Sequence, residues 1–121
     1  MPASRPTRRA ALAALSAALL PLAGLAQDFP SRPVTIVVPY GPGSYTDLVL
    51  RPFAPVLQKL LGQPVVIDNK PGGNGVIGSQ FVARARPDGY TLLAGSSTTL
   101  AANAGLFKAL PYDTLKDFQP V

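Results

Sequence analysis

Apolar and polar positions fall in blocks along this chain, and three of the apolar blocks are short, two of them β-branched. Val34-Thr35-Ile36-Val37-Val38 is apolar throughout except at Thr35, which suits a strand covered on both faces, as in a parallel sheet. Pro39 closes it. Val65-Val66-Ile67 and Tyr90 to Ala94 repeat the pattern and predict a second and a third strand. Between the first two, Leu48, Val49, Phe53, Val56, Leu57, Leu60 and Leu61 recur at helical spacing as a wide apolar stripe, and Gly62 stops it. Pro52 and Pro55 lie inside that stripe. A proline in a helix interior costs about 3 kcal/mol or more, so the expectation is a kink, or a regular helix that begins nearer Pro52. After the second strand, Asp68 to Gly75 reads as a loop. Val76 to Ala85 reads as a helix, with Ile77, Phe81, Val82 and Ala85 facing inward. Pro87-Asp88-Gly89 has turn chemistry, since glycine supplies the positive φ that a type II turn requires.

The order is therefore strand, loop, helix, strand, loop, helix, strand, loop. It predicts an α/β fold with a parallel sheet flanked by helices, joined by right-handed crossovers, with three loops gathered at one edge. In open α/β sheets ligands sit outside those strand ends. The loops are Tyr40 to Asp47, Asn69 to Gly75 and Gly95 to Thr99, all rich in glycine, hydroxyl or amide groups.

The first segment has a different character. Arg5, Arg8 and Arg9 precede an uncharged Ala- and Leu-rich run from Ala10 to Leu25, and Gly24-Leu25-Ala26 places small residues around a cleavage point. This is the pattern of a secretory signal peptide over residues 1–26, cut after Ala26. The run is shorter than the roughly 20 apolar residues of a membrane span and contains Pro21. Arg8-Arg9 also allows a twin-arginine export route. The expected product is residues 27–121, a single periplasmic unit with one core and modest stability.

Export changes the meaning of the charge. Three of the eleven basic residues lie in the signal, so the formal +5 falls to +2 on cleavage. The remaining lysines and arginines are spread thinly, whereas a nucleic-acid binder concentrates them on one face; nucleic acid is not an expected partner. All six acidic residues are aspartates, and neither histidine nor cysteine occurs. The commonest general base and metal ligand and every thiolate site are thereby missing. The inventory points to a binding protein rather than an enzyme, with no cofactor and no metal.

The candidate ligand groups follow from the loops. Backbone N–H groups at a helix start favour an anion, and the first loop carries Tyr40, Gly43, Ser44, Tyr45, Thr46 and Asp47 there. Thr46 or Asp47 can cap the helix that follows. An exposed Asp47 would repel a carboxylate, so its expected role is to pin the loop. Ser96, Ser97 and Thr98 after the third strand can donate to a carboxylate, with Asn103 a weaker candidate. The second loop looks more structural, with Asn74 as its one contact.

These residues resemble a known family. Arg32-Pro33-Val34 leading into Val37-Val38-Pro39-Tyr40, Pro42-Gly43 ending in Thr46-Asp47, Leu61-Gly62-Gln63-Pro64-Val65-Val66, Asn69-Lys70-Pro71-Gly72, Pro87-Asp88-Gly89-Tyr90-Thr91-Leu92-Leu93, and Leu110-Pro111-Tyr112-Asp113 with Lys116-Asp117-Phe118 stand in the order of its landmarks. The family is that of the periplasmic substrate-binding proteins of tripartite tricarboxylate transporters, also called Bug proteins. The resemblance implies a type II periplasmic-binding-protein-like lobe that captures a tricarboxylate, dicarboxylate or related organic acid and delivers it to membrane permease subunits. It also implies a partner lobe, because members are two-lobed and about 300 residues long; residues 27–121 would be part of the N-terminal lobe. A non-binding remnant of such a receptor is the alternative.

The chain departs from the family at Gly43-Ser44-Tyr45, where members have a glycine pair or triplet. A serine at a position requiring positive φ would be strained, and the Tyr45 ring would reshape the pocket. A minor rival is nucleotide binding, because Gly73-Asn74-Gly75-Val76-Ile77-Gly78 fits G-x-G-x-x-G after a strand. The acidic residue that such a site needs after the next strand is missing.

Overall fold

In the computed structural model, which describes residues 28–121, the first strand β1 runs over Val34–Val38 and is the centre of the sheet. β2 (Val65–Asn69) and β3 (Thr91–Leu93) flank it in the order β2-β1-β3, both parallel to it. The register pairs Val34 with Val65 through Val38 with Asn69 on one side, and Thr35 with Thr91 through Val37 with Leu93 on the other. A strand with neighbours on both edges and elements on both faces has no solvated side, which is why its sequence is apolar rather than alternating. Val34, Ile36, Val37 and Val38 are buried and, with Tyr112, form the hydrophobic core. The parallel α/β sheet expected from the sequence is present.

β2 is two residues longer than expected, because Asp68 and Asn69 continue the ladder opposite Val37 and Val38. Polar side chains obscured this extension, which the backbone pairing sustains. β3 is shorter than expected, Thr91–Leu93 rather than Tyr90 to Ala94.

The long apolar stripe is divided between two helices, α1 (Tyr45–Leu50) and α2 (Ala54–Leu61). The break falls where Pro52 and Pro55 required it. Pro55 occupies the first turn of α2, where its missing N–H costs no helical hydrogen bond. Gly62 ends α2 in the left-handed conformation (φ 67°). The face these helices turn outward is apolar: Leu48, Val49, Phe53, Val56 and Leu60 are all exposed. Periodicity identified the stripe correctly, but most of it is uncovered among the described residues.

The helix after β2, α3 (Val76–Ala83), stops two residues early and packs by a different face from the one expected. Ile77 and Phe81 are exposed, while Gly78 and Ser79 are buried. A Cβ on Gly78 would lie 2.8 Å from Pro39 Cα and 2.9 Å from the Lys70 carbonyl oxygen. Close approach to the backbone at the ends of β1 and β2 decides the orientation of α3, and only small residues permit it. Beyond β3 the chain makes a π-helical turn, Thr98–Ala102, that runs into α4 (Asn103–Leu106). At the far end of the sheet, Tyr90 holds the incoming chain: its ring packs on Phe29, lies beneath the Arg32 guanidinium, and its hydroxyl accepts the Ser31 N–H. The expected signal peptide falls on residues 1–26, outside the described part.

Candidate functional site

The three loops emerge at the C-terminal ends of β1, β2 and β3 and are bonded to one another there. Two backbone bonds set the spacing, from the Lys70 N–H to the Val38 carbonyl (2.8 Å) and from the Ala94 N–H to the Val37 carbonyl (2.9 Å). Tyr40 then joins the first loop to the third, its hydroxyl 2.7 Å from Ser96 Oγ. Asn69 joins the first to the second by donating from Nδ2 to the Tyr40 carbonyl and to Asp47 Oδ1. Asn74 joins the second loop to Asn103, the first residue of α4 beyond the third loop.

In the first loop Gly43 takes the positive φ (80°) and Ser44 has an ordinary extended conformation (φ −64°). The strain anticipated at Ser44 is therefore absent, because the turn places its left-handed residue one position earlier. Ser44 is the helix cap: its Oγ accepts the Asp47 N–H at 3.4 Å. That corrects the expectation that Thr46 or Asp47 would cap α1. Thr46 is half-buried in the first turn, and Tyr45 is 85% exposed, its ring projecting away from the protein rather than filling the loop edge.

Asp47 pins the loop, as expected, and does so from a buried position. Oδ2 accepts the Gly43 N–H (2.9 Å) and Arg51 Nε (2.8 Å), and Oδ1 accepts Asn69 Nδ2 (3.0 Å). The Arg51 guanidinium, followed by the Gly43 N–H and the Asn69 amide, holds its carboxyl at about 2, well below the usual carboxylate range. The negative charge is thus compensated inside the loop and does not face an incoming anion.

In the third loop, Ser96 and Thr99 bond reciprocally. The Ser96 N–H donates to Thr99 Oγ1 (2.9 Å), and the Thr99 N–H to Ser96 Oγ (3.3 Å). Ser97 is exposed and Thr98 half-buried at the start of the π-helical turn. Thr99, the hydroxyl residue outside the candidate set, is the fully buried one. Its position one turn before Asn103 was the available signal.

The second loop has an unusual backbone. Gly72, Gly73, Asn74 and Gly75 all have positive φ (128°, 55°, 57° and 84°), which for three of the four requires no Cβ strain. A Cβ on Gly75 would stand 2.5 Å from Thr99 Cγ2. The glycines of the G-x-G-x-x-G pattern therefore serve turning and close packing, with Gly75 against the third loop and Gly78 against Pro39.

Tyr40 and Ser96 are thus bonded to each other across the first and third loops and Asn74 is held by Asn103, while Ser44 and Thr46 lie on the first loop and its helix and Thr98 on the third; Asp47 supports this loop edge from beneath. Asn69, Arg51, Thr99 and Asn103 complete the support; Asn69 and Asn103 act through contacts 22 and 29 positions away, whereas Arg51 and Thr99 bond residues four and three positions away.

Residues 49–121 match the tripartite tricarboxylate transporter family receptor. Protein BugT of Bordetella pertussis is 45% identical over 97 residues, covering 79% of this chain and 30% of BugT. Among solved structures, MatC from Rhodopseudomonas palustris with bound malate superposes with a TM-score of 0.74 at 45% identity, over 77% of this chain and 32% of MatC. A second R. palustris protein, solved with adipate, gives 0.70 at 39% identity, over 73% and 29%. The chain spans about a third of the length of the curated relatives it matches. With that match over most of the described residues, and with the parallel sheet and its bonded loops in place, the chain belongs to the tripartite tricarboxylate transporter receptor family, whose solved members include periplasmic binding proteins.

Proposed function

We propose that the loop edge binds one carboxylate group of a small organic acid, and that the protein serves as the periplasmic receptor that hands this acid to the membrane permease of a tripartite transporter. The observation that carries the reading is the compensation of Asp47. A loop presenting the start of α1 with the Ser44 and Thr46 hydroxyls is suited to an anion only if its own carboxylate is neutralised, and Arg51 with the Gly43 N–H does this. Ser96, Ser97 and Thr98 of the third loop supply further hydroxyls, with Tyr40 bonded to Ser96 between the two loops, and Asn74 an amide. Malate and adipate, bound in the related structures, support a flexible dicarboxylate as the ligand class. The role is capture and delivery, without a chemical step. In a closing two-lobed receptor this edge would hold one end of the ligand, and residues 1–26 would direct export.

Calorimetric titration of the purified protein with malate and adipate tests the reading. Binding that weakens about tenfold in Ser96→Ala, the loss of one charge-assisted hydrogen bond, is the expected result. No heat from either acid at millimolar concentration would overturn it. Crosspeak shifts confined to Gly73–Gly78 on adding a dinucleotide would favour the nucleotide alternative.

A further inference from the structure

Asn103 is fully buried, yet it lies on the short α4 and packs against no other polar side chain of its own helix. Its amide is bonded on both sides. Nδ2 donates to the Asn74 carbonyl oxygen (3.1 Å) and faces the Tyr112 hydroxyl at 3.5 Å, while Oδ1 accepts Asn74 Nδ2 (3.0 Å). The Asn74 carbonyl can only accept, so the orientation of the Asn103 amide is set, and with it the end of Asn74 that it grips. Tyr112 is fixed in turn, donating to the Thr99 carbonyl at 2.7 Å. With these groups engaged and no exposure, Asn103 cannot reach a ligand. What it holds is the one residue other than glycine with positive φ among the described residues, Asn74 at φ 57° and ψ 38°.

We propose that Asn103 is a positioning residue: through its two-way bond to Asn74 it keeps the left-handed run Gly72–Gly75 in a single conformation and so fixes the donors that the second loop presents at the loop edge. Without that grip, three glycines around Asn74 leave the run free to sample the many conformations open to glycine. The grip leaves the second Asn74 N–H available, which makes this loop a donor toward an oxygen-rich ligand. That last consequence rests on the carboxylate reading above; the positioning itself does not.

Amide hydrogen exchange followed by NMR on the purified protein provides the test, with Val37 and Val38 of β1 as internal references. In Asn103→Ala, exchange at Gly75 and Val76, whose N–H groups donate to the Gly72 and Gly73 carbonyls, is expected to rise about tenfold while the β1 amides keep their protection. Should that variant fail to fold, Asn74→Asp decides. Aspartate also tolerates the left-handed conformation, its position is exposed, and it lacks the Nδ2 donor to Asn103. Loop amides that exchange as in the parent, in whichever variant folds, would overturn the proposal. So would a uniform rise that includes β1, since that is loss of the fold rather than of one loop. Titration with malate and adipate separates the two readings. Affinity weakened by both variants with β1 protection intact supports the pair, whereas a parent that binds neither acid removes the carboxylate reading and leaves the exchange result to judge Asn103.

Discussion

The loop edge and the outer face of α1 and α2 invert the usual distribution of residues. At the loop edge Asp47, Ser79, Thr99 and Asn103 are buried, and each has a bonded partner. On the helix face Leu48, Phe53, Val56 and Leu60 are more than half exposed. The difference teaches that burial follows from what neighbouring elements supply, not from the polarity of the side chain. Buried polar groups persist where several loops converge and satisfy one another, since an unpaired one costs about 1–3 kcal/mol. Apolar residues stay exposed where no element among the described residues lies over them.

The most damaging intrusion into the loop edge is a side chain where α3 meets it. Gly78→Ala would place a Cβ 2.8 Å from Pro39 Cα and 2.9 Å from the Lys70 carbonyl oxygen, both backbone atoms. A loss of about 1–3 kcal/mol is expected from such overpacking, measured as a lower urea midpoint. An unchanged midpoint would mean that α3 does not approach the loops so closely.

A gentler break removes one bond from the same network. Tyr112→Phe keeps the ring against Phe118 but deletes the donor to the Thr99 carbonyl. About 1 kcal/mol should be lost, and thermal unfolding would show it as a lower Tm. Equal stability would indicate that water replaces the hydroxyl.

Acid probes the charge at the centre of this edge. The Asp47 carboxyl titrates at about 2 in the folded protein against a usual value of 3.8. Its contribution is therefore present in full above about pH 4 and is lost as pH falls through 2, because the unfolded chain takes up the proton first. Asp47→Asn should be less stable than the parent at pH 6, and the difference should narrow toward pH 2. A gap that stays constant over that range would remove the charge from the explanation.

The smallest effect belongs to the other region. Leu60 is 77% exposed on α2, and lysine is as good a helix former as leucine. Leu60→Lys should change stability by less than about 0.5 kcal/mol. A loss above 1 kcal/mol on chemical denaturation would show that the face is covered in solution and would end the contrast.

Much of the fold was legible because strong local signals agreed with one another. Three short apolar runs, the first two β-branched, became three parallel strands, and Gly62 ended its helix. Pro52 and Pro55 split the long stripe at the position their ring geometry dictates. The misreadings share a cause. Asp68 and Asn69 look like loop residues but are held in β2 by pairing with β1. Ile77 and Phe81 look like the inner face of α3, but contact with Pro39 selects Gly78 instead. Ser44 rather than Thr46 or Asp47 caps α1, because Asp47 is drawn inward by Arg51 and Asn69.

By itself the sequence determined the α/β class, the order of the elements, the three polar loops after the strands and the family to which the chain belongs. These depend on side-chain period, proline and glycine geometry and motif order, all of which act within a few residues of chain. Only the tertiary structure decided which loop residues are donors at the surface and which are braces beneath it. Asp47 with Asn69, Tyr40 with Ser96 and Asn74 with Asn103 meet across 22, 56 and 29 positions respectively. A hydrogen bond between partners that distant depends on the relative placement of strands and helices, and no local pattern encodes it.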